Sequence, residues 1–376
     1  MKLACMMKLM KRGSNMATLQ EILAARKLPE LMTMNDGGAV AGIGGWEKRR
    51  VELLDVLAQE VYGVSPAPVP ASWKLEEEAA AYADKAVEKR FTVSFDTPKG
   101  VFSFPLYLAV PRSEKPAPCI LLMNFRAQIP DEYYPVEEIL DHGFATACVY
   151  YEDVSSDDAD MENGLAGCYS LAERRDGQMG KIGCWAYAMS RAADVLLEQP
   201  ELRKDGIITA GHSRLGKTSL WCAAQDRRVA GCISNDAGCS CDAVTRGKLG
   251  EHIVDITTNY PFWFSASYQR HRNREEQMPF DQHFLLAAIA PRPLAIGSAQ
   301  IDEWADPQSQ LLSCIAAGPA WQLYGLGALA MPQEMIPVDS ALQDGAVSFH
   351  YRSGTHFLSR RDWQYDFNFF AKKLKL

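Results

Sequence analysis

Short, nearly continuous apolar runs recur along the chain from residue 119 onward. They occupy residues 119–123, 144–151, 206–210, 229–234, 293–298 and 347–351, and stretches with helical spacing, such as 183–197 and 218–224, lie between them. Strands that are apolar on both faces and separated by helices are typical of a parallel sheet covered on both sides. The pattern therefore predicts an α/β protein, a three-layer α/β/α sandwich with a mostly parallel central sheet.

The chain before residue 119 has a different pattern. Apolar residues recur at helical spacing between about residues 18 and 62, and prolines at 66, 68 and 70 form a rigid connector. Polar and apolar residues then alternate over 91–95 and 101–110, on either side of a Thr-Pro-Lys-Gly turn, which predicts an antiparallel hairpin. An antiparallel hairpin that leads into a parallel sheet is the layout of the α/β-hydrolase fold.

These patterns divide the chain into three parts. We expect residues 1–17 to be disordered, residues 18–90 to form a helical segment packed on the core, and residues 91–376 to form the α/β-hydrolase domain. Within that domain, residues 239–280 form a long irregular insertion that is rich in aromatic side chains: Tyr260, Phe262, Trp263, Phe264 and Tyr268. The rings either form part of a binding wall or are buried as an extra surface layer.

Composition narrows the classes of function. A hydrophobic fraction of 47% over 376 residues supports a large core and excludes global disorder. A net charge of -8 argues against a nucleic-acid partner, which would require a basic face. No apolar run approaches the roughly 18 residues of a membrane span, so no membrane partner is expected. We expect a monomer or a weak homo-oligomer.

The ten cysteines include no Cys-x-x-Cys pair, and Cys239 and Cys241 form only a Cys-x-Cys. Several of the others lie in apolar runs, where cysteine is a small core residue. This usage fits a reducing compartment, so we expect a cytoplasmic protein, with secretion as the alternative. A Cys-x-Cys is a weak signal for zinc, and we expect neither a metal nor a cofactor. Lys8 interrupts the apolar stretch that a signal peptide would need, and Met16 is an alternative start.

The strongest chemical signal is a serine between a predicted strand and a predicted helix. The segment reads Gly211-His-Ser-Arg-Leu-Gly, with Ser213 at the turn. Such a turn presents the hydroxyl above the sheet and needs small neighbours, and the following helix N-terminus favours a developing negative charge. The common pattern is G-x-S-x-G, but here Leu215 stands at the second glycine position and Gly216 follows it. The alternative interpretation is a surface serine that caps the helix.

A serine nucleophile needs a base and an acid that orients the base. His356 follows the last predicted strand, where the base of an α/β-hydrolase falls, whereas His212 is too close in sequence to reach the Ser213 hydroxyl well. The acid stays open between Asp236 and Asp302, each of which follows a predicted strand.

These segments together resemble those of the glucuronoyl esterases, carbohydrate esterase family 15, and of bacterial relatives often labelled acetylxylan esterases. The resemblance runs from about residue 91 to residue 370. The string Gly211-His-Ser-Arg-Leu-Gly-Lys is similar to the family's G-[CH]-S-R-x-G-K, which accounts for the displaced Gly216. Further matching segments follow: Ser234-Asn-Asp-Ala-Gly-Cys, Gly250-Glu-His, Pro279-Phe-Asp-Gln-His, Ile289-Ala-Pro-Arg-Pro and Asp302-Glu-Trp-Ala-Asp-Pro.

The resemblance implies a role for each matching position. Ser213 is the nucleophile, His356 is the base, and the Arg214 side chain contacts the oxyanion beside a backbone N–H from the loop at Phe125. Three further positions contact the sugar: Lys217, Glu251 and Trp304. Amine and carboxylate groups can bond a sugar diol, and an indole face can pack on the C–H face of a sugar.

The family places its acid at one of two positions, after the sixth or after the seventh strand. Asp236 stands at the first, where Glu is usual, and Asp302 stands at the second. We favour Asp302 because Asp236 is one methylene shorter than the usual residue, although the two can share the role. Fungal members also carry a cysteine before the serine and another after the histidine. Here those positions are His212 and Phe357, so that disulfide is absent.

The predicted activity is therefore metal-free hydrolysis, through an acyl-enzyme, of esters of (4-O-methyl-)glucuronate on xylan or its oligosaccharides. One alternative is an acetylxylan esterase, in which the sugar is the alcohol part of the ester. A second alternative, from a different class, is an inactive α/β-hydrolase that binds carbohydrate.

Overall fold

The computed structural model describes residues 17–376, so the disorder expected for residues 1–17 lies outside the described residues, apart from Ala17. These residues form a ten-stranded sheet with helices packed on it. The strands are β1 (Ser72–Ala81), β2 (Ala86–Thr97), β3 (Gly100–Pro111), β4 (Ala117–Asn124), β5 (Ala145–Tyr150), β6 (Leu202–His212), β7 (Gly231–Asn235), β8 (Leu294–Ala299), β9 (Ser340–Leu342) and β10 (Val347–Arg352). The α-helices are α1 (Leu19–Ala25), α2 (Gly42–Leu57), α3 (Val136–Asp141), α4 (Gly164–Cys168), α5 (Lys181–Glu198), α6 (Arg214–Gln225), α7 (Ile253–Asn259), α8 (His283–Ala287), α9 (Pro307–Ala317), α10 (Pro319–Gln322) and α11 (Arg360–Leu374).

The strands run in the order β1-β2-β3-β5-β4-β6-β7-β8-β10-β9. From β5 to β10 each neighbouring pair is parallel, whereas β1, β2, β3 and β9 pair antiparallel. The six apolar runs of the sequence are β4 to β8 and β10, and the predicted hairpin is β2 with β3, joined at Thr97↔Gly100. The prediction of an α/β-hydrolase fold with an antiparallel N-terminal hairpin is confirmed.

The two faces of β4 explain why the central strands are apolar throughout. Cys119, Leu121 and Met123 belong to the core cluster that contains α5 and α6, while Ile120 and Leu122 belong to the cluster that contains α3 and α11. All five side chains are buried. Because successive residues of a strand point to opposite faces, a sheet covered on both sides buries both sets.

Residues 18–90 differ from the predicted helical segment. Helices α1 and α2 occupy its first half, and Trp46 and Leu53 of α2 are fully buried against the core. The second half contains β1 and the first residues of β2. Nearly all of β1 is exposed, so it has no alternating burial, and its Glu-Glu-Glu-Ala-Ala-Ala stretch is poor in strand formers. Pairing with β2, from Ser72↔Ser94 to Ala81↔Ala86, overrides that local preference.

The insertion at 239–280 contains α7 and several short turns, and it contributes no strand to the sheet. Among residues 17–376, no helix combines the length and the apolar character needed to cross a lipid bilayer.

Candidate active site

Ser213 occupies a sharp turn between β6 and α6, at the carboxyl edge of the parallel strands. Its backbone has φ 57° and ψ -126°, a conformation that non-glycine residues rarely adopt. The turn is anchored to the neighbouring strand, because the Ser213 N–H donates to the Asn235 carbonyl at 2.9 Å. The serine is therefore held in a strained position just before the N-terminus of α6.

Two glycines make this turn sterically feasible. A Cβ atom at Gly211 would lie 2.1 Å from the carbonyl oxygen of Leu215, which is far closer than van der Waals contact allows. A Cβ atom at Gly216 would lie 3.0 Å from both the Ala237 Cβ and the Ser234 Oγ. Leu215 is itself fully buried in the core. The position that must lack a side chain is therefore 216 rather than 215, which explains the displaced glycine.

His356 lies in the loop between β10 and α11 and faces Asp302, which follows β8. The His356 Nδ1 and Asp302 Oδ2 atoms are 2.6 Å apart, and Asp302 is buried while the imidazole is 46% exposed. The His356 ring centroid is 4.5 Å from that of His212, the residue before Ser213. The structure therefore brings the serine turn, the histidine and Asp302 to one edge of the sheet.

Asp236 follows β7 and is only 1% exposed, but its hydrogen bonds go elsewhere. Its Oδ1 accepts from the Ala299 N–H at 2.8 Å, and its Oδ2 accepts from Arg352 Nη2 at 3.2 Å. Burial raises the pKa of Asp236 well above its usual range, as do the nearby Asp362 and Asp302 charges, while Arg352 opposes the rise. Of the two acids left open by the sequence, Asp302 is the one that bonds to His356.

Asp236, Asp302 and His356 also have the residue types of a metal site, with one ligand atom from each lying within 4.8 Å of the others. Their hydrogen bonds account for this proximity without a cation. Asp302 lies within hydrogen-bonding distance of the His356 Nδ1 atom, and both Asp236 oxygens accept hydrogen bonds from protein donors. The arrangement therefore matches an oriented general base better than a ligand shell.

His212 packs among aromatic rings and is not placed to act as a second base. Its Nδ1 lies 2.6 Å from Asn235 Oδ1, and its ring stacks on Tyr133 at a centroid distance of 5.7 Å. Tyr133 also packs on Phe357, at 4.7 Å. Burial lowers the pKa of His212 to about 3, assisted by the neighbouring His356 charge. Tyr133 thus packs between His212 and Phe357, the two positions that correspond to the paired cysteines of the fungal members.

Arg214, the residue after the serine, is enclosed by aromatic rings and one carboxylate. Its guanidinium lies 4.6 Å from the Trp263 ring centroid, 5.4 Å from that of Phe125 and 5.7 Å from that of Tyr260. It forms an ion pair with Asp157, which also accepts from the Trp263 indole N–H at 2.6 Å. The buried Nε of Arg214 has no hydrogen-bond partner among the described residues. This N–H is therefore a candidate donor to a developing oxyanion.

The rings of the insertion divide between the surroundings of Arg214 and the core. Tyr260 stacks on Trp263 at a centroid distance of 3.8 Å, and the two form the wall beside Arg214. Phe264 and Tyr268 are buried in the core instead. The insertion thus supplies two rings beside Arg214 and core packing elsewhere, and a binding role of the two rings stays a prediction.

The three residues expected to contact the sugar lie around one another. Trp304 is 55% exposed, and its carbonyl accepts from the Glu251 N–H at 3.1 Å. Burial raises the pKa of Glu251, against the opposing charges of Lys217 and Lys248. Lys217 is buried, and its ammonium donates to the carbonyls of Ala237 and Cys239, the latter at 2.8 Å. At least two of its three N–H groups therefore hold the main chain where the insertion begins, just after β7.

A model of the family described as "Glucuronyl esterase, fungi" matches residues 93–325, which is more than half of the chain. The chain belongs to the glucuronoyl esterase family, carbohydrate esterase family 15. The resemblance seen in the sequence is confirmed, and this family member is a carboxylic ester hydrolase.

Three relatives illustrate the similarity. Carbohydrate esterase MZ0003, from an unknown prokaryotic organism, is 28% identical over 89% of this chain and 87% of its own length. The 4-O-methyl-glucuronoyl methylesterase of Thermothelomyces thermophilus is 29% identical over 80% of this chain and 73% of its own. The solved structure of the glucuronoyl esterase from Solibacter usitatus is 31% identical and superposes with a TM-score of 0.84, covering 91% of this chain and 97% of that one.

Two residues that shape this site, Asp157 and Lys248, were not singled out from the sequence. Asp157 lies in an acidic loop after β5 that also contains Asp158 and Asp160, and nothing in the sequence separates it from those neighbours. Lys248 is buried and donates to the Trp304 carbonyl at 2.8 Å. Its signal, a lysine three residues before Glu251, is indistinguishable from a solvated charge.

Proposed function

We propose that this protein hydrolyses esters of (4-O-methyl-)glucuronate on xylan or its oligosaccharides, with Ser213 as nucleophile, His356 as base and Asp302 as the acid that orients the base. The observation that carries the proposal is the 2.6 Å contact between His356 and Asp302 beside the strained turn of Ser213. The 4-O-methyl-glucuronoyl methylesterase among the relatives supports the choice of substrate.

In the acylation step, the Ser213 oxygen attacks the ester carbonyl carbon while His356 Nε2 accepts the hydroxyl proton. Asp302 holds the proton on Nδ1, which leaves Nε2 free as the base and stabilises the imidazolium that forms. When the tetrahedral intermediate collapses, the bond to the alcohol breaks and His356 returns the proton to the leaving oxygen. The product of this step is an acyl-enzyme on Ser213.

The oxyanion of the tetrahedral intermediate needs donors that are fixed before the reaction. The candidates are the Arg214 Nε–H, which has no partner among residues 17–376, the backbone N–H at the start of α6 and the backbone N–H of Phe125 after β4. Asp157 and the Trp263 ring fix the guanidinium in place. In the second step, water gives a proton to His356 and its oxygen attacks the acyl carbon. The bond between that carbon and the Ser213 oxygen then breaks, and His356 returns the proton to the Ser213 oxygen, which releases the uronic acid and restores the hydroxyl.

The uronate ring is expected beside Trp304, whose half-exposed indole can pack on the C–H face of a sugar. Glu251 borders the same place and can accept from a sugar diol. The buried Lys217 stabilises the charge of Glu251, and any contact with the sugar would use an N–H that does not bond to the two carbonyls.

The test is hydrolysis of benzyl glucuronate beside an acetylated xylo-oligosaccharide, with wild type and Ser213→Ala in parallel. We expect preference for the glucuronate ester and a loss of about 10⁴-fold or more in kcat for Ser213→Ala. Ser72→Ala is the control, because Ser72 is exposed on the outer strand of the sheet. Preference for the acetyl ester would assign the acetylxylan alternative, and unchanged turnover in Ser213→Ala would reject the serine mechanism.

A cytoplasmic location is part of the proposal. It is supported by the nine cysteines among residues 17–376, all of which are free and eight of which are buried. In such a compartment the substrates would be imported oligosaccharides rather than the intact polymer. Cell fractionation with an antibody to the protein tests this, and recovery in the culture medium would favour secretion.

A further inference from the structure

The Arg352 side chain is buried against the loop that carries His356. It is the last residue of β10 and is only 3% exposed. Its Nη1 donates to the Ser353 carbonyl at 3.1 Å, and its Nη2 donates to the carbonyls of Thr355, at 3.1 Å, and Phe357. The guanidinium therefore bonds the main chain on both sides of His356.

The same guanidinium is held by two buried carboxylates from other elements. Arg352 Nε donates to Asp362 Oδ2 at 2.5 Å, and Nη2 donates to Asp236 Oδ2 at 3.2 Å. Asp236 is itself fixed by the Ala299 N–H. Asp362 accepts from the Ser359 N–H and hydroxyl, both at 2.7 Å, where it helps to cap α11. Arg352 thus joins the turn after β7, the loop of His356 and the start of α11.

We infer that Arg352, anchored by Asp236 and Asp362, is the positioning residue of His356, fixing the main chain of its loop while Asp302 orients the imidazole. The inference rests on the proposed function and assigns a role to Asp236 that differs from that of a catalytic acid. A guanidinium suits this task because it presents five N–H donors in a fixed plane. A lysine ammonium has three donors around one atom and cannot reach the same set of acceptors.

The expected effect lies in turnover rather than in substrate binding. Displacement of a catalytic group by about 1 Å can cost about 10²-fold in rate. Arg352 is buried beneath the loop, and none of its hydrogen bonds involves the residues proposed to contact the sugar. Loss of the anchor should therefore lower kcat by about 10²-fold and leave KM within about threefold.

The experiment measures kcat and KM on benzyl glucuronate for Arg352→Lys and Arg352→Gln. Arg360→Lys is the matched control, since Arg360 begins α11 nearby but is exposed and pairs with Glu138 at the surface. We expect the kcat loss in both Arg352 variants and wild-type values in the control. If folded Arg352 variants keep kcat, or if KM rises as kcat falls, the inference is wrong.

A buried arginine can also be needed for folding, so Asp236→Asn provides an independent route. The Asn side chain keeps an acceptor for the Ala299 N–H but cannot form the ion pair with Arg352. We expect kcat to fall about tenfold with KM unchanged, and the low-field N–H proton of His356 in NMR spectra to broaden. The His356→Ala spectrum assigns that resonance.

The outcomes separate the two proposals. An unchanged kcat together with an unchanged resonance in Asp236→Asn would overturn the positioning role even if the Arg352 variants fail to fold. Ser213→Ala is measured in the same assay. Loss of its activity beside fully active Arg352 or Asp236 variants rejects only the positioning role, whereas activity retained in Ser213→Ala rejects the proposed serine esterase itself.

Discussion

Replacing each of the two acids near His356 by asparagine separates their roles. In Asp302→Asn the charge that faces the His356 Nδ1 atom at 2.6 Å is lost, and the amide can present an N–H where an acceptor is needed. That change favours the wrong imidazole tautomer, in which Nε2 carries the proton and cannot act as a base. In Asp236→Asn the bond between His356 and Asp302 remains intact, and only the ion pair with Arg352 is lost.

The two variants should differ greatly in turnover. In a triad of this kind, loss of the acid lowers kcat by about 10⁴-fold, which corresponds to about 5.5 kcal/mol in the barrier. Loss of the Asp236 anchor should lower kcat only about tenfold, which corresponds to about 1.4 kcal/mol in the barrier. The assay is steady-state hydrolysis of benzyl glucuronate at a pH where wild type is fully active, with circular dichroism to show that both variants are folded.

The reasoning would be refuted by equal losses in the two variants, which would mean that the carboxylates share the role. A larger loss in Asp236→Asn would assign the acid to the turn after β7 instead. Asp158→Asn is a suitable control, because Asp158 is exposed and its hydroxyl partner Ser156 can bond an amide oxygen equally well.

Three further predictions concern the oxyanion, the sugar and the core. Asp157→Asn should lower kcat about tenfold by loosening Arg214, with Asp158→Asn as the control in the same assay. Trp304→Ala should raise KM about three- to tenfold at nearly constant kcat, because an indole face contributes about 0.5–1.5 kcal/mol to such a contact; a fall in kcat alone would contradict this. Asp366 is buried, and neither of its carboxyl oxygens has a hydrogen-bond partner among the described residues. Burial raises the pKa of Asp366 well above the usual range. Such an acid keeps its proton in the folded state after the unfolded state has lost it, so stability falls as pH rises above about 4. Asp366→Asn should therefore raise the free energy of unfolding at pH 7 and change it little at pH 3, as measured by urea denaturation.

The sequence predicted the parts of the molecule that local pattern controls. The apolar runs identified the six central strands, since a strand buried on both faces is apolar throughout. Strand β1 was missed because it is exposed, and its pairing with β2 is a long-range effect that leaves no periodic signal. The position of Ser213 could be predicted because the turn geometry requires Gly211. The environment of Arg214 could not be predicted, since Asp157 lies 57 residues before it and Trp263 lies 49 residues after it in the chain.

The choice between Asp236 and Asp302 follows from charge as well as from reach. Two ionised carboxylates beside one imidazole would repel each other in a buried site. Arg352 offsets this repulsion by pairing with Asp236. Asp302 is then free to give its Oδ2 to His356, while Asp236 contributes to the same histidine through the backbone of its loop. The shorter side chain at position 236 therefore suits an anchor for Arg352, and the catalytic contact falls to the acid after β8.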